Sequence, residues 1–484
     1  MRFFLKFICI LIVATTITSC SKEYEIPQEL VVHDFVWKGL NAYYLHQDQI
    51  ADLSDRRFNS DQQLNAYLST FPDYNTLFSG LLISGDVKSN LVEDYNTIVE
   101  PDIRSLFTNG LEFGVIAEPN HPENVIGYVT HILPASNAST KNILRGEYFN
   151  AINGIQLTKV NYQDFLLNGA DNFTLEMADF NGVTVTANAK SVTLEKQNYT
   201  YPAIFLEKTI SNAANNIGYL MYHNDFSTNY LDDLNNTFLN FKNQSVNELI
   251  LDLRYNIGGG SFAENIADIS SMITGQFLDD VLIKEEWNAK AQPWFIVNQP
   301  DSLLTKFPTK LNETTAINSL NLTDIYIILN GSSFEGSSAI ELLINSLKSH
   351  INVHVIGNQT TGNNTGKITL YNSDDYDFPL KNNTHTVALQ PIVLSFLNKD
   401  DQTYENGFTP DLNLCTNEDV LDLGVLGETS DPILNSVLNY ISTGNAVSNS
   451  NCNPNSYEYL YNSINAQRQV DSGVFIKQNL PNTN

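Results

Sequence analysis

The chain has 484 residues, 42% hydrophobic and 17% charged, a balance ordinary for a folded protein and a length sufficient for two or three domains, each with its own core. Asp and Glu outnumber Lys and Arg by 54 to 26, giving a formal net charge of −28. That excess argues against nucleic acid as a partner and leaves anionic lipid headgroups repelling the body of the protein. The eight histidines are scattered and no Cys/His cluster has metal-ligand spacing, so neither a metal nor a cofactor is expected.

The N-terminus, MRFFLKFICILIVATTITSC, carries Arg2 and Lys6, an apolar run from Phe7 to Ala14, and small residues just before Cys20. Residues 1–19 read as a secretory signal, too short and too sharply ended for a stable transmembrane helix. The Ile-Thr-Ser-Cys ending resembles a bacterial lipobox. That implies cleavage before Cys20, lipidation of its sulfur, and attachment to a membrane through a lipid anchor only; a soluble secreted protein or a retained anchor is the alternative. The Ser-Lys-Glu-Tyr-Glu that follows resembles export signals of Bacteroidetes surface lipoproteins. The expected location is the cell envelope, as an outer-membrane lipoprotein, periplasmic or surface-exposed. Cys9 leaves with the signal, so Cys415 and Cys452 remain as a pair that an oxidising envelope allows to bridge.

Residues 20–30 are a tether. From Val31 the run VVHDFVWKGLNAYYLHQDQI places Phe35, Leu40, Tyr43 and Tyr44 on a helical stripe, and Ser60–Phe71 carries Leu64, Tyr67 and Leu68 at the same period. A helical domain over 31–105 is expected, with these aromatics as its core. From about Leu111 the texture changes to short strands with Gly and Asn-Gly turns, which predicts a β-rich domain over 106–197. Residues 198–442 return to longer elements: the strand IGYLMYHNDF, a helix over about Thr228–Asn243, and the strand Glu248–Leu253. Strand, helix, strand with an apolar run such as LILDL predicts parallel pairing under helical cover, an α/β fold. A helix over Phe262–Gly275, a Pro-interrupted excursion across 276–323 and a helix over about Pro432–Ile441 complete this core. Residues 443–484 are Asn/Ser-rich, and a loosely packed polar tail is expected, with a helix near Tyr457–Gln467.

Two stretches carry chemistry. In Leu329–Lys367, LNGSSFEGSSAIELLINSLKSHINVHVIGNQTTGNNTGK, the strand Ile325–Leu329 leads through a small-residue turn to a helix over about Ala339–Ser349, a strand Val353–Ile356 and a Gly/Thr/Asn loop. Ser338 sits at the helix mouth, where unpaired N–H groups and the helix dipole favour developing negative charge; a plain N-cap is the alternative. The second stretch is LILDLRYNIGGG, Leu249–Gly260. Together they resemble the C-terminal processing peptidases, or tail-specific proteases, which are serine peptidases with a Ser-Lys dyad. Asp252, Leu253, Arg254, Asn256, Gly258 and Gly259 match that family's D-L-R-x-N-x-G-G. Ser338, Ala339 and Glu341 match its S-A-S-E, with Ile340 for the second serine. Gly357, Thr360 and Gly362 match its G-E-x-T-x-G-K, whose lysine position is Asn363, 25 residues after Ser338 as in the family. Gly407-Phe-Thr-Pro-Asp411 resembles the family's G-x-x-P-D.

The resemblance implies a crotonase-like peptidase core and peptide hydrolysis with Ser338 as nucleophile. It implies oxyanion donors from the N–H groups of Ala339 and of Gly258 or Gly259, and protein or peptide substrates held by their C-termini. Gly127–Leu157 resembles a PDZ domain, most clearly in Asn150-Ala-Ile-Asn-Gly154. This implies peptide binding at a loop Leu111, Glu112, Phe113, Gly114, although Glu112 puts a negative charge where a terminal carboxylate is expected; a PDZ fold kept as a spacer or lid is the other reading. The base is missing: an Asn363 amide orients a hydroxyl but cannot deprotonate it. Lys367 lies about 13 Å further along an extended chain, and His350 and His354 read as structural. Two functions stay open, a serine peptidase with an unidentified base and a pseudo-peptidase that binds peptides without cutting.

Overall fold

The computed structural model describes residues 26–98, 105–212, 215–224, 226–258, 261–329, 337–377, 379–414, 418–445, 457–467, 473–476 and 480. Cys20, Cys415, Cys452 and Gly259 lie outside the described residues, and with them the lipid attachment and the disulfide.

The helical pattern near the start forms α1 (Val31–Tyr43), α2 (Asp61–Leu68) and α3 (Tyr74–Gly80), followed by the short strand β1 (Asn90–Val92). The Ser60 and Asp73 side chains cap α2 and α3 by accepting the N–H groups of Gln63 and Thr76.

The β-rich stretch comprises β2 (Ser105–Thr108), β3 (Leu111–Glu118), β4 (His121–Ile132), β5 (Tyr148–Ile152), β6 (Ile155–Gln156), the short helix α4 (Tyr162–Leu166), β7 (Asn172–Phe180), β8 (Val185–Glu195) and β9 (Gln197–Thr200). Its sheet runs β3-β4-β5-β7-β8, all antiparallel, over a core of Val115, Val129, Phe149, Leu175 and Leu194.

The α/β part holds β10 (Leu206–Asn212), β11 (Asn215–Met221), α5 (Thr228–Asn243), β12 (Glu248–Asp252), β13 (Ser261–Phe262), α6 (Ala263–Ile273), β14 (Val281–Trp287), α7 (Gln292–Asn298), β15 (Leu304–Lys306), β16 (Asp324–Ile328), α8 (Ser338–Lys348), β17 (Asn352–Gly357), β18 (Thr365–Lys367), β19 (Ala388–Gln390), β20 (Ile392–Asn398), β21 (Leu412–Asn413) and α9 (Pro432–Thr443). Strands β11, β12, β16, β17 and β21 lie parallel in that order, with β10 antiparallel at the edge. Parallel neighbours require crossovers, which α5 and α8 supply between consecutive strands. Side chains alternate between two cores as a period of two dictates: Leu249, Leu251, Ile325, Ile327, Val353 and Val355 face one, while Ile250, Ile328 and Ile356 face the other, under Leu434, Val437 and Leu438 of α9.

The N-terminal helices do not bury a core of their own. Phe35, Leu40 and Tyr43 join one cluster with Leu370, Tyr376, Leu389 and the α8 face. A Cβ at Gly39 would stand 2.8 Å from Leu389 Cδ1, and β1 pairs antiparallel with β19. Length allowed separate cores; the aromatic stripe on α1 instead spans the join.

The tail also departs from expectation. Tyr459–Asn462 forms a strand, β22, Ser463–Gln467 a short helix, α10, and Val474–Phe475 a strand, β23. β22 adds to β3, and β23 lies between β13 and β18 in the sheet β13-β23-β18-β20-β14-β15. Its packing comes from Tyr461, Ile464, Val474 and Ile476, apolar residues too widely spread among Asn and Ser to announce an element. Among the described residues no helix is long and apolar enough to cross a membrane.

Candidate functional site

The carboxyl ends of β12, β16 and β17, neighbours in the parallel sheet, deliver the three motifs to one edge, the general location of ligand sites in open α/β sheets. The Asp252 strand leads into the glycine turn, β16 leads toward Ser338, and β17 leads to the Asn363 loop.

The first turn is locked by Asn256. Its Nδ2 donates to the Asn224 carbonyl at 2.6 Å, its Oδ1 accepts the Gly258 N–H at 2.8 Å, and the Ile257 N–H donates to the His223 carbonyl at 2.9 Å. Gly258 has a φ of 70°, a left-handed position that suits glycine. Of the two oxyanion candidates in this turn, the Gly258 N–H is engaged by Asn256, and Gly259 lies outside the described residues.

Ser338 is the first residue of α8, and Ser337 takes the cap position without a side-chain capping bond. Ser338 is therefore inside the helix rather than its N-cap, and it is fully buried. Ala339 follows in the first turn, where an N–H has no carbonyl four residues back to bond.

Glu341, one turn along α8 from Ser338, joins the second and third motifs. Its two carboxylate oxygens accept the N–H groups of Gly362 at 2.7 Å and Asn363 at 2.6 Å, which seats the Asn363 loop on the helix that carries the serine. Sequence matching included Glu341 but gave it no task; this is the task. Gly362, with φ 89°, has the Glu405 carbonyl 2.2 Å from where a Cβ would stand, and Gly407, with φ 69°, has the Thr360 carbonyl at 2.0 Å. Thr360 and Phe408 exchange hydrogen bonds of 3.1 and 2.8 Å across this contact, and Asp411 closes it by accepting the Val355 N–H at 2.8 Å. The scattered glycine matches thus describe one clasp around the loop. Asn363 is half-buried and its Oδ1 accepts from Thr365 Oγ1 at 3.0 Å.

Other possible bases are placed as follows. Lys367 turns its Nζ to Asn90 Oδ1 at 3.3 Å. His350 packs against Phe277 and Phe307, and His354 lies flat on Tyr326 at 4.6 Å with Asp324 at 3.4 Å, both structural as expected. Lys88, in the loop before β1, was not singled out from the sequence. It is half-buried, and burial pushes its ammonium pKa down, Glu341 and Asp86 pull it up, and Lys367 adds to the fall. Only the fold could reveal it, because Lys88 reaches the Glu341 region from more than two hundred residues upstream.

Arg254 explains the D-L-R motif. It is 1% exposed and donates to Asp252 at 2.7 Å, to Asp431 at 2.7 Å and to Glu418 at 3.1 Å. Asp431 in turn caps α9, and Asp252 accepts from Tyr219 at 2.7 Å. Arg145 of the β-rich part bonds Glu418 at 2.6 Å and also the hydroxyl of Tyr255, fastening that part to the motif. Burial alone would raise the Glu418 carboxyl, but Arg145 and Arg254 hold it below the usual range. Burial, with Arg254 adding to it, pushes the nearby His223 imidazole down to about 3, so it stays neutral.

Leu111–Gly114 is not a loop. These residues open strand β3 and are buried, and β22 pairs along β3 from Gly114 onward. The Glu112 carboxylate, 1% exposed, accepts from Ser463 Oγ and, at 2.9 and 3.0 Å, from Gln467 Nε2. The negative charge that looked misplaced for carboxylate binding is held by donors from the chain itself.

No curated protein matches the chain. Among solved structures, a Bacteroides fragilis protein named as an S41 protease is similar with a TM-score of 0.64 at 20% identity, over 85% of this chain and 97% of that one, which establishes a shared mixed α/β fold. The photosystem II D1 C-terminal processing protease is similar with a TM-score of 0.43 at 15% identity, over 86% of this chain and 97% of that one. The family model of peptidase family S41 matches residues 216–414, the span that runs from β11 through the Asn256 turn, Ser338 and the Glu341 clasp to β21. Over that span the chain is similar to peptidase family S41.

Proposed function

We propose that the protein is a serine-type peptidase of the C-terminal processing kind, acting on protein or peptide C-termini in the cell envelope, with Ser338 as nucleophile and Asn363 at the dyad-lysine position. The observation that carries this reading is the Glu341 clasp, which sets the Asn363 loop on the same helix turn as Ser338. The Ala339 N–H and the Gly259 N–H take the oxyanion, and the first turn of α8 adds its dipole. Hydrolysis is slow, because the Asn363 amide accepts no proton. The test is cleavage of an unstructured protein with an apolar C-terminus. Slow cleavage that Ser338→Ala removes supports the reading, whereas cleavage that survives Ser338→Ala overturns it. A pseudo-peptidase that binds peptides is the second reading, favoured by Asn363 itself, and no cleavage with retained peptide binding selects it.

The β-rich part serves as a PDZ-type peptide-binding domain over a crotonase-like core, a reading supported by an antiparallel sheet that receives an extra strand along β3. At the membrane, Cys20 is the lipidated first residue of the mature protein. Intact-mass measurement on protein from its native host shows the acyl chains; an unmodified Cys20 removes the anchor from this proposal.

A further inference from the structure

Residues 457–467 and 473–476 touch the two places a substrate peptide would use. At the first, β22 pairs antiparallel with β3, Tyr459 opposite Ile116, Tyr461 opposite Val115 and Asn462 opposite Gly114, and the Ala117 N–H donates to the Glu458 carbonyl at 2.9 Å. Leu460 and Tyr461 pack against the β-rich core, the Tyr461 ring 5.5 Å from that of Phe113, and Ser463 accepts the Phe113 N–H at 2.9 Å. This is strand addition with side-chain anchoring, the physical mode by which a sheet edge binds an extended peptide.

At the second, β23 runs parallel between two short strands that flank the site. Val474 stands opposite Ser261 of β13 and Gly366 of β18, Phe475 opposite Phe262 and Lys367, and the Ile476 N–H donates to the Lys367 carbonyl at 3.1 Å. β13 follows the glycine turn directly, and β18 begins two residues after Asn363. A peptide carbonyl that reaches both the turn and Asn363 runs between the strands leaving those two points, and that lane is filled. Ser338 is fully buried in this arrangement.

We infer that residues 457–467 and 473–476 are an intramolecular ligand, occupying the β3 edge and the lane beside Ser338, and that the protein takes up an external peptide only when they are displaced. The intervening sequence 445–456, NAVSNSNCNPNS, is polar. Tethering within one chain gives the ligand residues an effective concentration on the order of millimolar, against which any external peptide must compete.

The experiment uses the full chain and a labelled synthetic peptide of residues 457–467, and reads binding by fluorescence anisotropy, so its result is independent of whether hydrolysis occurs. The full-length double variant Leu460→Asp/Tyr461→Asp, which removes both anchors, is expected to bind the peptide at least about tenfold more tightly than the unaltered chain. The same peptide carrying Ser463→Ala and Gln467→Ala, which lacks the donors to Glu112, is expected to bind more weakly. A folded double variant that binds no better than the unaltered chain overturns the inference. Hydrogen exchange on the unaltered chain gives a second reading, should the variant not fold. Amides of Tyr459–Asn462 that exchange well before those of β4 support a releasable segment, and exchange of both only by global unfolding rejects it.

Discussion

Asn363→Lys raises peptidase turnover by about a hundredfold or more, and adding Ser338→Ala to it abolishes the gain. A positioned general base is worth roughly 10²- to 10⁴-fold, and the other parts of the proposed mechanism stand on backbone that the substitution leaves in place. The Asn363 N–H stays on Glu341, because that bond is made by the main chain. The loss is one acceptor for Thr365 Oγ1, a minor price. Only a neutral amine accepts the serine proton, so the rate of the Asn363→Lys protein climbs with pH from neutrality toward the amine pKa. Burial lowers that pKa and the Glu341 carboxylate raises it, which places full recovery out of reach. The assay is run with and without Leu460→Asp/Tyr461→Asp, so that a filled lane is not mistaken for an ineffective base. No gain in either background rejects Asn363 as the main defect.

Arg254→Met lowers stability by about 3–5 kcal/mol, the usual loss when one partner of a buried ionic cluster is removed. Asp252 and Asp431 are fully buried, and both are held by this guanidinium. Without it, two carboxylates face one another with no cation between them, and the cap of α9 is disturbed along with them. Thermal melting measures the drop, and the triple variant Asp252→Asn/Arg254→Met/Asp431→Asn is expected to regain part of it by removing the stranded charge. A melting temperature unchanged in Arg254→Met shows that the cluster is not what fastens α9 to the sheet.

Much of this was legible in the residues, and the reason differs from place to place. The parallel core followed from runs such as LILDL, because a strand covered on both faces has no polar side to alternate. Gly362 and Gly407 could be matched to a pattern, but their purpose lay in a contact between loops 45 residues apart, which a motif does not encode. Leu111–Gly114 was expected as a loop because it matched the carboxylate-binding loop of PDZ domains; Ser463 and Gln467, the donors that bury Glu112, come from an Asn/Ser-rich stretch expected to pack loosely. Lys88 could not be found from sequence at all. A lone lysine after Asp86 in a loop reads as surface, and its approach to Glu341 exists only once β1 has paired with β19.

That pairing bears on how the molecule is made. Asn90 Nδ2 donates to Gln390 Oε1 across 300 positions, α1 fills the same cluster as Leu389 and Leu394, and Val474 from the far end joins it. Contacts so remote in sequence must wait for loop closure, which slows folding and lengthens the time for which apolar surface is bare. During synthesis, Phe35, Leu40 and Tyr43 emerge hundreds of residues before the partners that cover them. The core therefore cannot shut until the strand that carries Leu389 has emerged, and removing α1 bares the Leu370, Tyr376 and Leu389 face it covers.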